Sequence, residues 1–286
     1  MEINDKGYWS RRITSIMKII ILLLFFIVYM FPFAMILINS FKAKRDIVMQ
    51  PLSLVGTKGV SIDNFVAAFQ KMNFIKVFSN SLIITVCSVG VIILVSSMCA
   101  YIFVRTKWLA GRMMFALMIF SMVIPFQVLM IPEVAIYGNI LGILNHRASL
   151  IFMHTGFSVA MSVFMYHGFI RSSIPISLEE AATLDGCNKR QTFFKIVFPL
   201  LKPTTATLII LYSLAIWNDF LLPSLVLTKK NLFTLPIATR IFYGTYSSDL
   251  GLIMAALVMT VIPIIILYLC LQKYIIEGVV AGAVKS

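Results

Sequence analysis

From Val77 to Val104 the chain carries no charged side chain. A helix on a soluble globule usually keeps charged residues on its water-facing side, and this stretch has none to offer. It is long enough to cross the hydrocarbon core of a bilayer, which takes about twenty apolar residues. Five further runs meet the same condition, so spans are expected near 19–38, 78–104, 113–132, 149–170, 203–222 and 252–272. Composition agrees: 60% of the 286 residues are hydrophobic and 12% charged, against about 25% charged in soluble domains. The fold class is therefore an all-α integral membrane protein with six transmembrane helices. Pro32, Pro125 and Pro263 fall within spans and predict kinks.

The organisation expected is a cytoplasmic amino-terminal segment, 1–18, a six-span domain, 19–272, and a turn-rich cytoplasmic tail, 273–286. Ile19 to Ile38 is too long for the apolar region of a signal peptide and reads as a retained first span. The basic residues behind the net charge of +13 sit in the short segments between apolar runs, where Lys and Arg anchor spans against headgroups. They are not interleaved with stacking aromatics, so nucleic acid is not an expected partner. The inward segments hold a modest excess of Lys and Arg when both termini are placed in the cytoplasm. The excess is small because the first outer loop carries Lys42, Lys44, Arg45, Lys58, Lys71 and Lys76, and long loops cross membranes largely regardless of charge.

Chemistry-bearing residues are sparse. The four cysteines lack metal-ligand spacing and imply no disulfide framework. No paired acids, triad or zinc signature stands out, so no catalytic or metal residue is assigned and the chain is not expected to be an enzyme. Without a G-x-x-x-x-G-K-[ST] phosphate loop, it is not expected to hydrolyse ATP itself. Polar side chains in lipid face a bundle interior, which makes Gln127, Tyr212, Asn218 and Asp219 the candidates for a solute pathway. The competing reading is helix–helix hydrogen bonding, with Asn218 and Asp219 forming an interfacial turn. His154 and His167 read as packing residues, and Glu133, just past Pro132, is expected at the outer interface.

The hydrophilic stretch 175–200 is the exception to this lipid-adapted chain. It reads as two short helices around a turn. Ser177 and Glu180 have capping-box spacing, as do Asn188 and Gln191. Gly186 suits the left-handed stop of the first helix. Leu178, Ala181 and Ala182 share one face, Phe193, Phe194 and Val197 another, and Pro199 and Pro203 close the unit. An amphipathic hairpin lying on headgroups would also be polar and compact. However, Glu179, Glu180 and Asp185 oppose an anionic surface, so a protein partner fits better.

Glu180-Ala181-Ala182-x-x-Asp185-Gly186, followed by Phe194 and Pro199, resembles the EAA loop of permease subunits in binding-protein-dependent ABC importers. Further likenesses are Asn80-Ser81, Ala100-Tyr101 with Arg105, Trp217-Asn218-Asp219-Phe220, and the tail from Gln272-Lys273-Tyr274 through Gly278 and Gly282 to Lys285. These are similar to the smaller, six-helix subunit of maltose-type importers. Cys187 departs from the family, which often has Ala there. The resemblance implies a type I permease fold with a cytoplasmic coupling loop, 175–200, in the cell membrane of a prokaryote. Its docking residues would be Glu180, Ala181, Ala182, Asp185, Gly186, Phe194 and Pro199. Implied partners are a homologous second permease, two copies of an ATPase that uses ATP-Mg, an extracellular solute-binding protein, membrane lipid and a sugar. No cofactor is implied for the chain itself. Other solutes, such as glycerol phosphate or an acidic sugar, stay open, and an ion-coupled carrier is the reading from a different class.

Overall fold

The computed structural model describes the backbone of residues 5–57, 59–244 and 249–283, and the side chains of 12–57, 59–244, 249–270 and 272. Helix dominates, and no strand occurs among the described residues. The chain forms two compact units, residues 1–72 with 241–261, and residues 73–240 with 262–286.

The first unit opens with α1 (Asp5–Ser40), which runs uninterrupted through Pro32. Its stretch Arg12–Ser40 has a mean hydropathy of 2.9 with none of its most apolar window buried. Such a helix is stable with lipid around it, since every backbone bond is made internally. Two short helices follow, α2 (Lys44–Met49) and α3 (Asp63–Lys71). The loop around them is folded on itself by polar contacts. Lys42, only 2% exposed, donates from Nζ to Asn39 Oδ1 at 3.0 Å and to the carbonyls of Gln50 and Pro51 at 3.1 and 3.2 Å. Asp46 accepts from the Thr57 backbone N–H at 3.0 Å and from its hydroxyl at 2.9 Å. Asn64 Nδ2 donates to the carbonyls of Ser40 and Lys42, both at 2.9 Å. One of the basic residues of this loop is thus a buried structural donor. Another, Lys58, lies outside the described residues.

The second unit contains, in order, α4 (Phe74–Arg105), α5 (Leu109–Ser121), α6 (Phe126–Val134), α7 (Arg147–Ser173), α8 (Ile176–Leu184), α9 (Lys189–Thr192), α10 (Phe198–Leu200), α11 (Lys202–Trp217), α12 (Leu221–Val226) and α13 (Leu235–Ala238). Helix α4 packs along α7, and α11 lies against both. Their seam holds Ile84, Ile92, Leu150, Val163, Tyr166, Ile170 and Leu208, each at most 1% exposed. The last helix, α14 (Leu250–Ala283), keeps Pro263 inside it.

Four helices are long and apolar enough to span by themselves: Arg12–Ser40, Phe74–Arg105, Arg147–Ser173 and Leu250–Cys270. Two bent pairs, Leu109–Ser121 with Phe126–Ile140 at 101° and Lys189–Leu200 with Lys202–Trp217 at 72°, bring the total to as many as six if each pair counts as one span by length and composition. The expected span at 113–132 is therefore a broken rod. Pro125 disfavours helix at Ile124 and instead sits, extended, at the start of α6 with φ −63° and ψ 137°. Of the three expected proline kinks, this one ends a helix, whereas Pro32 and Pro263 lie within continuous ones. The expected turn-rich tail is helical as far as Ala283, and residues 284–286 lie outside the description.

Candidate functional site

The 175–200 hairpin folds by local rules at its turn and by tertiary contacts at its base. Helix α8 ends with the Gly186 N–H donating to the Thr183 carbonyl at 3.1 Å and the Cys187 N–H to the Ala182 carbonyl at 2.9 Å. This nested pair is the Schellman arrangement, and it needs the left-handed φ of +83° that Gly186 adopts. A residue with a Cβ would be strained there by about 1–2 kcal/mol. The second helix begins with a complete capping box: the Gln191 N–H donates to Asn188 Oδ1 at 3.0 Å, and the Asn188 N–H to Gln191 Oε1 at 2.9 Å. The box expected at Ser177 and Glu180 does not form, because the helix already starts after Pro175 and Ser177 falls inside it. Past α9 the register widens into a π-helical turn, Phe193–Val197, leading to Pro199.

The inner face of this hairpin is held to α4. Arg105 Nε donates to Glu179 Oε1 at 2.7 Å, Arg105 Nη2 to the Ile174 carbonyl at 2.8 Å, and the Tyr101 hydroxyl to Glu179 Oε2 at 2.8 Å. The Arg105 and Glu179 side chains are 16% and 13% exposed. Charge-assisted bonds in such a sheltered place are roughly twice as strong as neutral ones. Phe193, 4% exposed, lays its ring 5.3 Å from that of Tyr101. Ala182, at 3%, and Val197, at 0%, complete the buried side.

The outer face is bare. Leu184 is 90% exposed and Phe194 47%, and Glu180, Ala181, Asp185, Gly186 and Pro199 are exposed too. The expected pairing of faces is thus redrawn. Ala181 and Ala182 point to opposite sides, and Phe193 is an anchor while Phe194 is not. Sequence reasoning chose Glu180 and passed over Glu179. The signal was available in Arg105, the first cation after an apolar run, but its partner is far along the chain.

Three of the four pathway candidates stand outside the lining of the cavity that Asp219 joins. Gln127 is exposed on α6. The Tyr212 hydroxyl donates to the Ser158 carbonyl at 2.9 Å, and Asn218 Nδ2 to that of Leu214 at 2.9 Å. Asp219 does line a cavity of about 830 Å³ between α6, α7 and α12, with Glu133 and His154 also in its wall. Its Oδ1 accepts from the Leu221 backbone at 2.9 Å, while Oδ2 stands 3.9 Å from His154 Nε2. Glu133 is only 6% exposed, and neither carboxylate oxygen has a partner among the described residues.

Residues 92–280 match the family model of the binding-protein-dependent transport system inner membrane component. The chain is 40% identical over 255 residues to the probable starch degradation products transport system permease protein AmyC of Thermoanaerobacterium thermosulfurigenes, covering 89% of this chain and 91% of the relative. It is 37% identical over 279 residues to the melibiose/raffinose/stachyose import permease protein MelC of Bacillus subtilis (strain 168), covering 97% and 98%. In fold it is similar to a chain of a bacterial ABC transporter involved in the import of the acidic polysaccharide alginate, with a TM-score of 0.77 at 23% identity, covering 93% of this chain and 97% of that one. With its spans, its hairpin and these matches taken together, the chain belongs to the inner membrane components of binding-protein-dependent transport systems.

Proposed function

We propose that the chain is a permease subunit of an ATP-driven importer of oligosaccharides, and that its 175–200 hairpin is the cytoplasmic point at which a separate ATPase acts. Relatives similar over almost the whole chain carry the names of starch-product and melibiose, raffinose and stachyose transport proteins, which supports a sugar cargo. The observation that carries the coupling role is the division of the hairpin into two faces. The inner one is clamped to a long span by Glu179, while the outer one exposes Leu184, Phe194 and Glu180. A lever needs both, one side fixed to the load and one free for the motor.

In this reading the exposed Glu180, Ala181, Asp185 and Gly186 meet the ATPase, and Phe194 and Pro199 flank that contact. Two copies of the ATPase, using ATP-Mg, serve this subunit and a homologous second permease, and an extracellular binding protein delivers the sugar. Both termini lie in the cytoplasm. Closure of the ATPase pair pushes the hairpin, and the clamp passes the displacement to α4. Rocking of helix bundles around a central pathway is a common transport solution.

The test is uptake of labelled raffinose, maltotriose, trigalacturonate and glycerol phosphate by cells with and without this chain, and with Gly186→Val. Deletion is expected to abolish uptake of a neutral oligosaccharide. Gly186→Val, at a normal membrane level, is expected to lower it roughly tenfold, equivalent to about 1.4 kcal/mol of coupling. Uptake of every neutral sugar unchanged by deletion would overturn the cargo. Undiminished uptake in the valine variant, or labelling of Asp185→Cys from outside the cell, would overturn the coupling role.

A further inference from the structure

We infer that the cavity between α6, α7 and α12 is a subsite for the uncharged hydroxyl groups of a sugar, and that its carboxylates make it a poor host for acidic sugars and phosphate esters. The inference rests on the import reading and adds to it a site and a substrate class.

The size suits an organic solute: about 830 Å³ falls in the range of 300–1,000 Å³ usual for small-molecule sites. The walls are those a pyranose ring stacks on. Phe126 and Phe157 meet edge to face at 5.0 Å, and Tyr137 and Phe152 do so at 6.2 Å. Rings held in such pairs lose little further conformational freedom when a ligand packs on them.

The polar groups point to hydroxyls. Asp219 Oδ2 and His154 Nε2 are 3.9 Å apart, too far for a hydrogen bond and suited to one oxygen between them. A hydroxyl there donates to the carboxylate and accepts from the ring N–H, with the imidazole turning to meet it. His154 is 5% exposed and its Nε2 has no partner among the described residues. Glu133 leaves two more buried acceptors unfilled in the same wall. Buried polar atoms without partners are uncommon, and three of the nine among the described residues, on Glu133 and His154, belong to the wall of this cavity. A hydroxyl group both donates and accepts, so sugar hydroxyls can serve the carboxylate oxygens as donors and the ring N–H as an acceptor.

Charge decides between sugars. No Lys or Arg lines the cavity among the described residues, whereas Asp219 and Glu133 do. An anionic solute would find carboxyl groups and no Lys or Arg to pair with, and burying its unpaired charge would be costly. Position fits entry from the face opposite the hairpin. His154 lies two turns into α7, about 10 Å from its amino end, while the hairpin follows the carboxyl end of that helix.

The experiment measures binding to the full-length chain in lipid nanodiscs by saturation-transfer NMR, with raffinose, maltotriose and trigalacturonate as probes and empty nanodiscs as the blank. Raffinose or maltotriose is expected to bind, and trigalacturonate is not. Asp219→Asn keeps the shape of the side chain and removes its charge, and is expected to weaken the neutral sugar roughly tenfold with an unchanged melting midpoint. His154→Gln serves as the second variant, with weakening in the same direction. No signal from either neutral sugar, equal binding of trigalacturonate, or full binding in both variants overturns the subsite. Uptake that depends on this chain, found alongside any of those results, leaves the import reading standing. Charge-selective binding in a chain whose deletion spares neutral-sugar uptake leaves the subsite standing and removes the import reading.

Discussion

At its amino end α4 grips the 231–235 segment through Asn80 and Ser81, whereas at its carboxyl end Tyr101 and Arg105 grip Glu179. Asn80 Nδ2 donates to the carbonyls of Asn231 and Phe233 at 3.0 and 2.9 Å, and Ser81 Oγ accepts the Leu235 N–H at 2.9 Å. Every bond at that end runs from a neutral side chain to backbone. At the other end two side chains converge on a single carboxylate, and one of them is a cation. Contacts to backbone place no demand on the identity of the partner's side chains, so the amino-terminal clasp tolerates sequence change in 231–235. The carboxyl-terminal clamp requires an acid at 179 as strictly as a base at 105. The neutral end specifies a position; the charged end specifies a partner. That difference suits the proposed lever, because the end nearest the motor has a contact that is strong when made and costly when only half of it remains.

The sharpest way to break the comparison is Arg105→Ala. It leaves Glu179 half-buried and without its cation, and losing hydrogen bonds to a charged group costs up to about 3 kcal/mol. Hydrogen exchange is expected to accelerate in the amides of α8 and not in 231–235, and equal exchange at both ends would erase the distinction. Next comes Asn80→Ala, which strips two backbone carbonyls of a buried donor for about 2 kcal/mol. Its loosening is expected in 231–235 alone, with sugar uptake better preserved than in Arg105→Ala, and faster exchange in α8 would contradict it. The smallest effect is expected from Tyr101→Phe, which keeps the ring against Phe193 and removes a single hydroxyl. About 1 kcal/mol is expected, read as a small fall in melting midpoint in detergent. A fall as large as that of Arg105→Ala would show that the phenol, and not the ion pair, carries the clamp.

Local rules made part of this molecule legible in advance. Asn188 and Gln191 form their capping box and Gly186 its left-handed stop, because each needs only a few neighbouring residues. The same reasoning missed at Ser177, where Pro175 began the helix early. It missed again at 113–132, where total apolar length concealed a break that Pro125 imposes. Tyr212 was chosen for its hydroxyl, which donates to the Ser158 carbonyl, a partner on another helix. Glu133 is closed over by neighbouring elements, which nothing in its local sequence announces.

What the sequence by itself determined is the solvent and the punctuation: long charge-free runs can only be stable in lipid, and Gly, Pro and capping residues act within a turn of where they stand. What only the tertiary structure decided is which polar groups meet. Glu179 finds Arg105 from 74 residues away, and His154 faces Asp219 across a cavity. Those encounters follow from how α4, α7 and α11 pack, and packing in an apolar bundle depends on shape summed over many side chains, which no short stretch of sequence encodes.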